Sequence, residues 1–159
     1  MRVGRLGALM SAIRILPFEK RTAFDATGKP VDGKLPEGLC VKYGLNDGAL
    51  LLLNGIEGRS SGFGLEHIQA NMGRMKQLSG LGFNSVHAFV RFVFENYNSV
   101  SQQPDGRLVL VAERKADYLW VICQWDHDRL VWSVTTAIPK RHKRGLTFIW
   151  TAAQEGETA

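Results

Sequence analysis

Cysteine is nearly absent: Cys40 and Cys123 are the only two in 159 residues. They stand far apart, with no Cys-x-x-Cys pair and no Cys/His ligand spacing. That excludes a disulfide framework and any zinc site legible from spacing, and a reducing compartment is expected. No stretch approaches the ~20 apolar residues of a membrane-spanning helix, so no membrane association is expected. Arg2, Arg5 and Arg14 flank the apolar run from Leu6 to Ile13, but Gly7 and Ser11 interrupt it and no convincing cleavage site follows, so it does not read as a secretory leader. Walker, HExxH and GxSxG motifs are missing, and Gly62-Phe63-Gly64 is too short for a dinucleotide fingerprint. Glu57, Glu66 and Glu113 have no obvious carboxylate partner, which removes support for a glycosidase pair. Neither a metal nor a cofactor is expected. Internal repeats and low-complexity tracts are also lacking.

What is present suits one globular domain. Hydrophobic residues at 45% and charged residues at 22% exclude wholesale disorder. Twenty basic against fifteen acidic side chains give +5, a balance that fits a phosphate-rich partner and equally fits many soluble proteins.

Residues 1–48 hold Pro17, Pro30 and Pro36, three of the five prolines, together with Gly28, Gly33, Gly38 and Gly44. They read as an irregular, extended segment. Ala49 to Leu53 is a short apolar strand, and Asn54 to Gly64 is a glycine-rich loop. Leu65, Ile68, Met72 and Met75 then recur at helical spacing until Gly80. A second helix opens at Asn84 or Ser85, either able to cap it, and carries Val86, Phe89, Val90, Val93, Phe94 and Tyr97 on one face. After Pro104-Asp105-Gly106 the pattern becomes strands: Arg107 to Glu113, Tyr118 to Trp125, Arg129 to Ile138 and Leu146 to Ala152. Connections this short predict an antiparallel meander. The expected fold class is α+β, two helices packed on a four-stranded antiparallel meander, with Phe89, Val93, Leu110 and Val121 in one core. The expected divisions are residues 1–48, the α+β domain 49–153 and a polar tail 154–159.

Three groups of residues could carry chemistry. His67 lies in the first turn of a helix behind the glycine loop, where free backbone N–H groups favour a phosphate. On that helix His67, Asn71 and Arg74 are spaced i, i+4 and i+7 and share a stripe suited to acid/base work on a phosphodiester, although a surface histidine on an amphipathic helix has the same spacing. The run Lys140-Arg141-His142-Lys143-Arg144 puts positive charge on one loop, fit for phosphate contacts with RNA or simply for solubility. Thr147 with Thr151, and Ser133 with Thr135, share strand faces. If these line the face away from the helices they make a shallow nucleotide surface, with Tyr118 or Trp120 available for stacking, though Thr and aromatics also favour strands for their own sake. His87, Arg91 and Glu95 read as the solvated stripe of the second helix.

Gly64-Leu65-Glu66-His67-Ile68 opening a helix, a second amphipathic helix, a four-stranded meander and a last strand ending Trp150-Thr151-Ala152 together resemble the barnase/EndoU/colicin/RelE-like nuclease fold, in its phage and polymorphic-toxin branch. The resemblance spans Ala49 to Ala153. It implies metal-independent RNA cleavage, with the 2′-hydroxyl attacking the adjacent phosphate to leave a cyclic phosphate. It assigns His67 as general acid or base and Thr151 as the last-strand hydroxyl. Arg74, Arg114 and Lys140 would stabilise the phosphorane. It further implies RNA, tRNA included, as substrate, a cognate inhibitor or immunity protein as partner, and the cytoplasm of the producing or target bacterial cell as location. An aromatic commonly follows the threonine in that family, where this chain has Ala152 and Ala153. The alternative is a catalytically inactive nucleic-acid- or protein-binding module of a phage or mobile element.

Overall fold

The computed structural model describes residues 16–58 and 61–152. The opening apolar run from Leu6 to Ile13, read as no leader, and the polar tail 154–159 therefore lie outside the described residues.

Among the described residues seven strands form one sheet: β1 (Asp32–Gly33), β2 (Leu50–Leu51), β3 (Ser99–Gln102), β4 (Leu108–Arg114), β5 (Asp117–Asp126), β6 (Val131–Lys140) and β7 (Phe148–Thr151). Their order is β1-β2-β6-β5-β4-β3-β7. Among the described residues there are four α-helices, α1 (Leu39–Tyr43), α2 (Gly64–Gln69), α3 (Met72–Gly80) and α4 (Val86–Asn96), and a 3₁₀ turn at Phe18–Lys20. Two helices on a four-stranded antiparallel meander is thus corrected to four helices and a seven-stranded mixed sheet. A four-stranded meander does exist, but it runs β3-β4-β5-β6, and the last strand pairs with β3 instead of β6. The Pro139–Gly145 connection is not a hairpin: it carries the chain across the sheet to the far edge. β2 adds to the other side of β6 in parallel, and β1 pairs with β2.

α4 follows its pattern. Ser85 caps it by accepting from the Ala88 N–H at 3.0 Å, and Val86, Phe89, Val90, Val93 and Phe94 are buried. They meet Leu108, Leu110, Leu119 and Val121 in the main core, so Phe89, Val93, Leu110 and Val121 do share one core. Burying an aromatic and several branched aliphatics at ~1.5–3 kcal/mol each makes this the dominant stabilising contact.

Residues 16–48 contribute to the same core through Ala23, Val31, Leu35 and Leu39. Arg91 ties this segment to α4: it makes an ion pair with Asp25 at 2.7 Å and donates to the Pro30 carbonyl, so it is not part of a solvated stripe. Asp25 also accepts from the Thr27 hydroxyl and from the N–H groups of Lys29 and Thr27. These bonds, with the Arg91 guanidinium, hold its carboxyl well below the usual carboxylate range.

The periodic run from Leu65 to Gly80 is not one helix. It breaks at Asn71, whose backbone is extended and whose side-chain oxygen accepts from the Arg74 N–H, capping α3. A short amide side chain that can bond nearby backbone favours a cap over a helix interior.

Candidate functional site

The break at Asn71 dissolves the His67–Asn71–Arg74 stripe. The backbone donors at the start of α2 are also taken: Leu65 N–H bonds to the Leu53 carbonyl and Glu66 N–H to that of Asn54. The glycine loop therefore packs against β2 in place of cradling a phosphate. Gly55 and Gly64 have positive φ, and a Cβ on Gly55 would lie 1.8 Å from the Phe63 carbonyl oxygen. His67 is half-buried and lines a cleft of about 440 Å³ with Glu57 and Asn71. Its Nδ1 stands against Gly62, close enough that a Cβ there would come within 2.5 Å.

The other residues assigned by resemblance are dispersed. Arg74 spends its guanidinium on the Ala137 carbonyl at 2.5 Å and on Gln77, and burial pulls its pKa below the ordinary value. Arg114 lies over the rings of Phe83 and Phe92, 4.9 and 5.5 Å from their centroids. Thr151 pairs with Ser99 on β7, with β5, β4 and β3 intervening between it and β6, the strand against which α2 packs. A shift of register in the β3–β7 pairing also breaks strict alternation along β7: Phe148 joins the cluster on one face, while Trp150 packs on the main core and against Tyr97.

The basic run is a strap across the sheet face opposite the helices. Beneath it Val109 and Val111 are fully buried and Trp120 is nearly so, which closes that face to base stacking on Trp120. Lys140 sits over the Trp120 ring, His142 meets the same ring edge-on, and Lys143 lies near Tyr118 and Phe148. Lys143 also bonds Glu113 at 2.7 Å, which holds its pKa above the usual lysine value. The strap is fixed from below by the Ser101 hydroxyl, which accepts from the Thr147 N–H. Of the five residues only Arg141 and Arg144 are exposed.

Further along the same face, toward the β5–β6 turn, lies a groove of about 600 Å³. Four separated segments build it: Lys20, the loop residues Gly62 and Phe63, Arg107 before β4, and the β5–β6 hairpin with Gln124, His127, Ser133 and Thr135. A register shift in the β5–β6 pairing makes Thr135 an extra residue, opposite Ile122 and Cys123. Ser133 and Thr135 both line this groove, at 5% and 8% exposure. The Thr135 hydroxyl is buried with no hydrogen-bond partner among the described residues. Such a group costs free energy until something bonds it.

The turn is held by Asp126, which accepts from the N–H groups of Asp128 and Arg129 and from Lys20 at 2.7 Å. Burial raises the carboxyl pKa, but Lys20 and the two N–H groups outweigh it and keep it below the usual value. Burial likewise works against charged Lys20, yet Asp126 and Asp128 hold its pKa above normal. Lys20 is thereby committed, and Arg107, 3.4 Å from Asp105, and exposed His127 are the groups left for an anion. Sequence reasoning singled out neither, nor Lys20 or Gln124. The available signal was a histidine in the tight turn between the two longest strands.

Among the described residues no helix is long and apolar enough to cross a membrane. Compared with protein families, curated proteins and solved structures, the chain matches none.

Proposed function

We propose that this chain is a metal-independent endoribonuclease that binds RNA on the helix-free face of the sheet, with the groove at the β5–β6 turn as its working centre. The supporting observation is the convergence of Arg107, Gln124, His127, Ser133 and the unpartnered Thr135 hydroxyl from distant points of the sequence. Attack by a 2′-hydroxyl needs one group to take its proton, another to protonate the leaving oxygen and positive charge near the phosphorane. His127 stands on the groove and Arg107 supplies the charge, and the second imidazole, His67, lies across Gly62 in the adjoining cleft. Arg141 and Arg144 add phosphate contacts from the strap.

The inactive binding module remains a second reading for one specific reason: Arg74 and Arg114 are engaged in internal contacts, and Thr151 lies at the other edge of the sheet. One assay separates the two. Single-stranded RNA in excess EDTA is expected to be cut to fragments ending in a cyclic phosphate, with DNA untouched. His127→Ala and His67→Ala are each expected to slow cleavage by about 10²- to 10⁴-fold. Cleavage that stops in EDTA overturns the mechanism. Full activity in both variants removes the assigned groups, and RNA binding without any cleavage favours the module.

A further inference from the structure

The groove does not end at the β5–β6 turn. Arg107, Gln124, Trp125 and His127 also line a second cavity of about 420 Å³, which continues past them between the Asn46 loop and the start of β4. The two cavities therefore adjoin at these four residues, which form a waist between two lobes. Each lobe falls within the ~300–1,000 Å³ of small-ligand sites.

The chemistry of the lobes differs from that of the waist. Beyond the shared residues, the second lobe offers Asn46, Gln102 and Asp105. The first offers Ser133, Thr135 and the Phe63 ring, with Lys20 already neutralised by Asp126 and Asp128. These are amides, hydroxyls, a carboxylate and an aromatic face, the groups that bond base edges and sugars or stack on bases. Apart from Lys20, the positive charge lies at the waist, where Arg107 pairs with Asp105 through one nitrogen at 3.4 Å and keeps further N–H donors on its fork. The side-chain amides of Gln102 and Gln124 make no hydrogen bond among the described residues.

Building on the ribonuclease reading, we infer that the waist seats one phosphate and each lobe one nucleoside, so that the substrate is an unpaired RNA strand engaged over at least two consecutive nucleotides. A duplex is disfavoured because its stacked, paired bases cannot be splayed out to enter the lobes. Gln102 is then a specificity-determining residue of the second lobe, remote from the proton transfers.

The test compares a single-stranded oligoribonucleotide of about a dozen nucleotides, the same strand annealed to its complement, a dinucleoside monophosphate and a mononucleotide. The free strand is expected to be cut at least about 10²-fold faster than the duplex. The dinucleoside monophosphate is expected to compete with it, and the mononucleotide to compete at least about tenfold more weakly. Gln102→Ala, and independently Asn46→Ala, are expected to raise KM about tenfold or more for the free strand with kcat nearly unchanged. Thermal melting of both variants at the wild-type midpoint verifies that the fold is intact. Equal cleavage of duplex and strand, or unchanged KM in both variants while wild type cleaves, overturns the two-lobe inference and leaves the ribonuclease reading standing. If wild type cuts nothing, fluorescence anisotropy with the same RNAs decides. Selective binding of the free strand weakened by Gln102→Ala retains the two lobes as a strand seat without catalysis, and no binding at all removes both.

Discussion

The strap and the groove share one face of one sheet and are built in opposite ways. The strap's charges are contiguous in sequence, Lys140 to Arg144, and half of its four cations are spent within the fold: two lysines lie on aromatic rings, one of them also on Glu113, while His142 meets Trp120. The groove's groups are scattered from Lys20 to Thr135 and converge only when the sheet forms. A run of cations therefore marks where positive side chains cover an apolar sheet face, while the groove's polar groups are brought together only by topology. Stems of Lys and Arg serve well as such cover because their methylenes pack while their heads stay wet.

This contrast assigns stability mainly to the helix side of the sheet and leaves the strap a minor part. Phe89→Ala is expected to lower unfolding free energy by about 3 to 5 kcal/mol, since the ring is fully buried in the main core. Lys143→Ala is expected to cost at most about 1 kcal/mol, its ion pair being half exposed. Denaturant titration of both variants checks the ordering, and a larger loss for Lys143→Ala would reverse it.

The same contrast sharpens the expected salt dependence. Four cations of the strap could each have displaced a counterion, but only Arg141 and Arg144 are exposed. Replacing those two with Ala is expected to flatten the slope of log RNA affinity against log salt by up to about 2 units, at roughly 0.7 to 0.9 per contact. Replacing Lys140 and Lys143 is expected to change it little. A flattening by the lysine pair as large as that of the arginine pair would mean the strap lifts off its aromatic bed to bind.

A smaller effect concerns the N-terminal segment. The Asp25 carboxyl is held below its unfolded value by Thr27, Lys29 and Arg91, so it adds stability that is present above the ordinary carboxylate range near ~4 and is lost as pH falls through its lower folded pKa. Asp25→Asn is expected to be less stable at neutral pH and to show a shallower loss of stability on acidification. Identical acid titration curves for both proteins would assign the acid sensitivity elsewhere.

How much of this was legible depends on whether a residue's role is local. α4 could be read because its apolar positions repeat at the helical period and Ser85 precedes them. The strands β4, β5 and β6 could be read from their β-branched and aromatic runs. The break at Asn71 could not, because the periodicity of Leu65 to Met75 continues through it while a side-chain cap decides otherwise. The partner of β7 was hidden for a related reason. Pairing with Ser99–Gln102 depends on a crossing of the sheet that no turn motif announces, and that strand is only four residues long. The groove was the least legible. Lys20, Arg107 and His127 belong to no motif, and their proximity follows from the meander and from the Arg129 side chain clasping the Lys20 carbonyl and Thr22.

The central claim, that RNA meets this chain at the groove instead of on the strap-covered cluster, is tested most directly by ultraviolet crosslinking of bound single-stranded RNA followed by mass spectrometry of the modified peptides. Both surfaces carry aromatic rings, so each reports on itself. Crosslinks are expected on Phe63 or Trp125, which line the two lobes. Crosslinks confined to Tyr118, Trp120 or Phe148, the rings beneath the strap, would contradict the account.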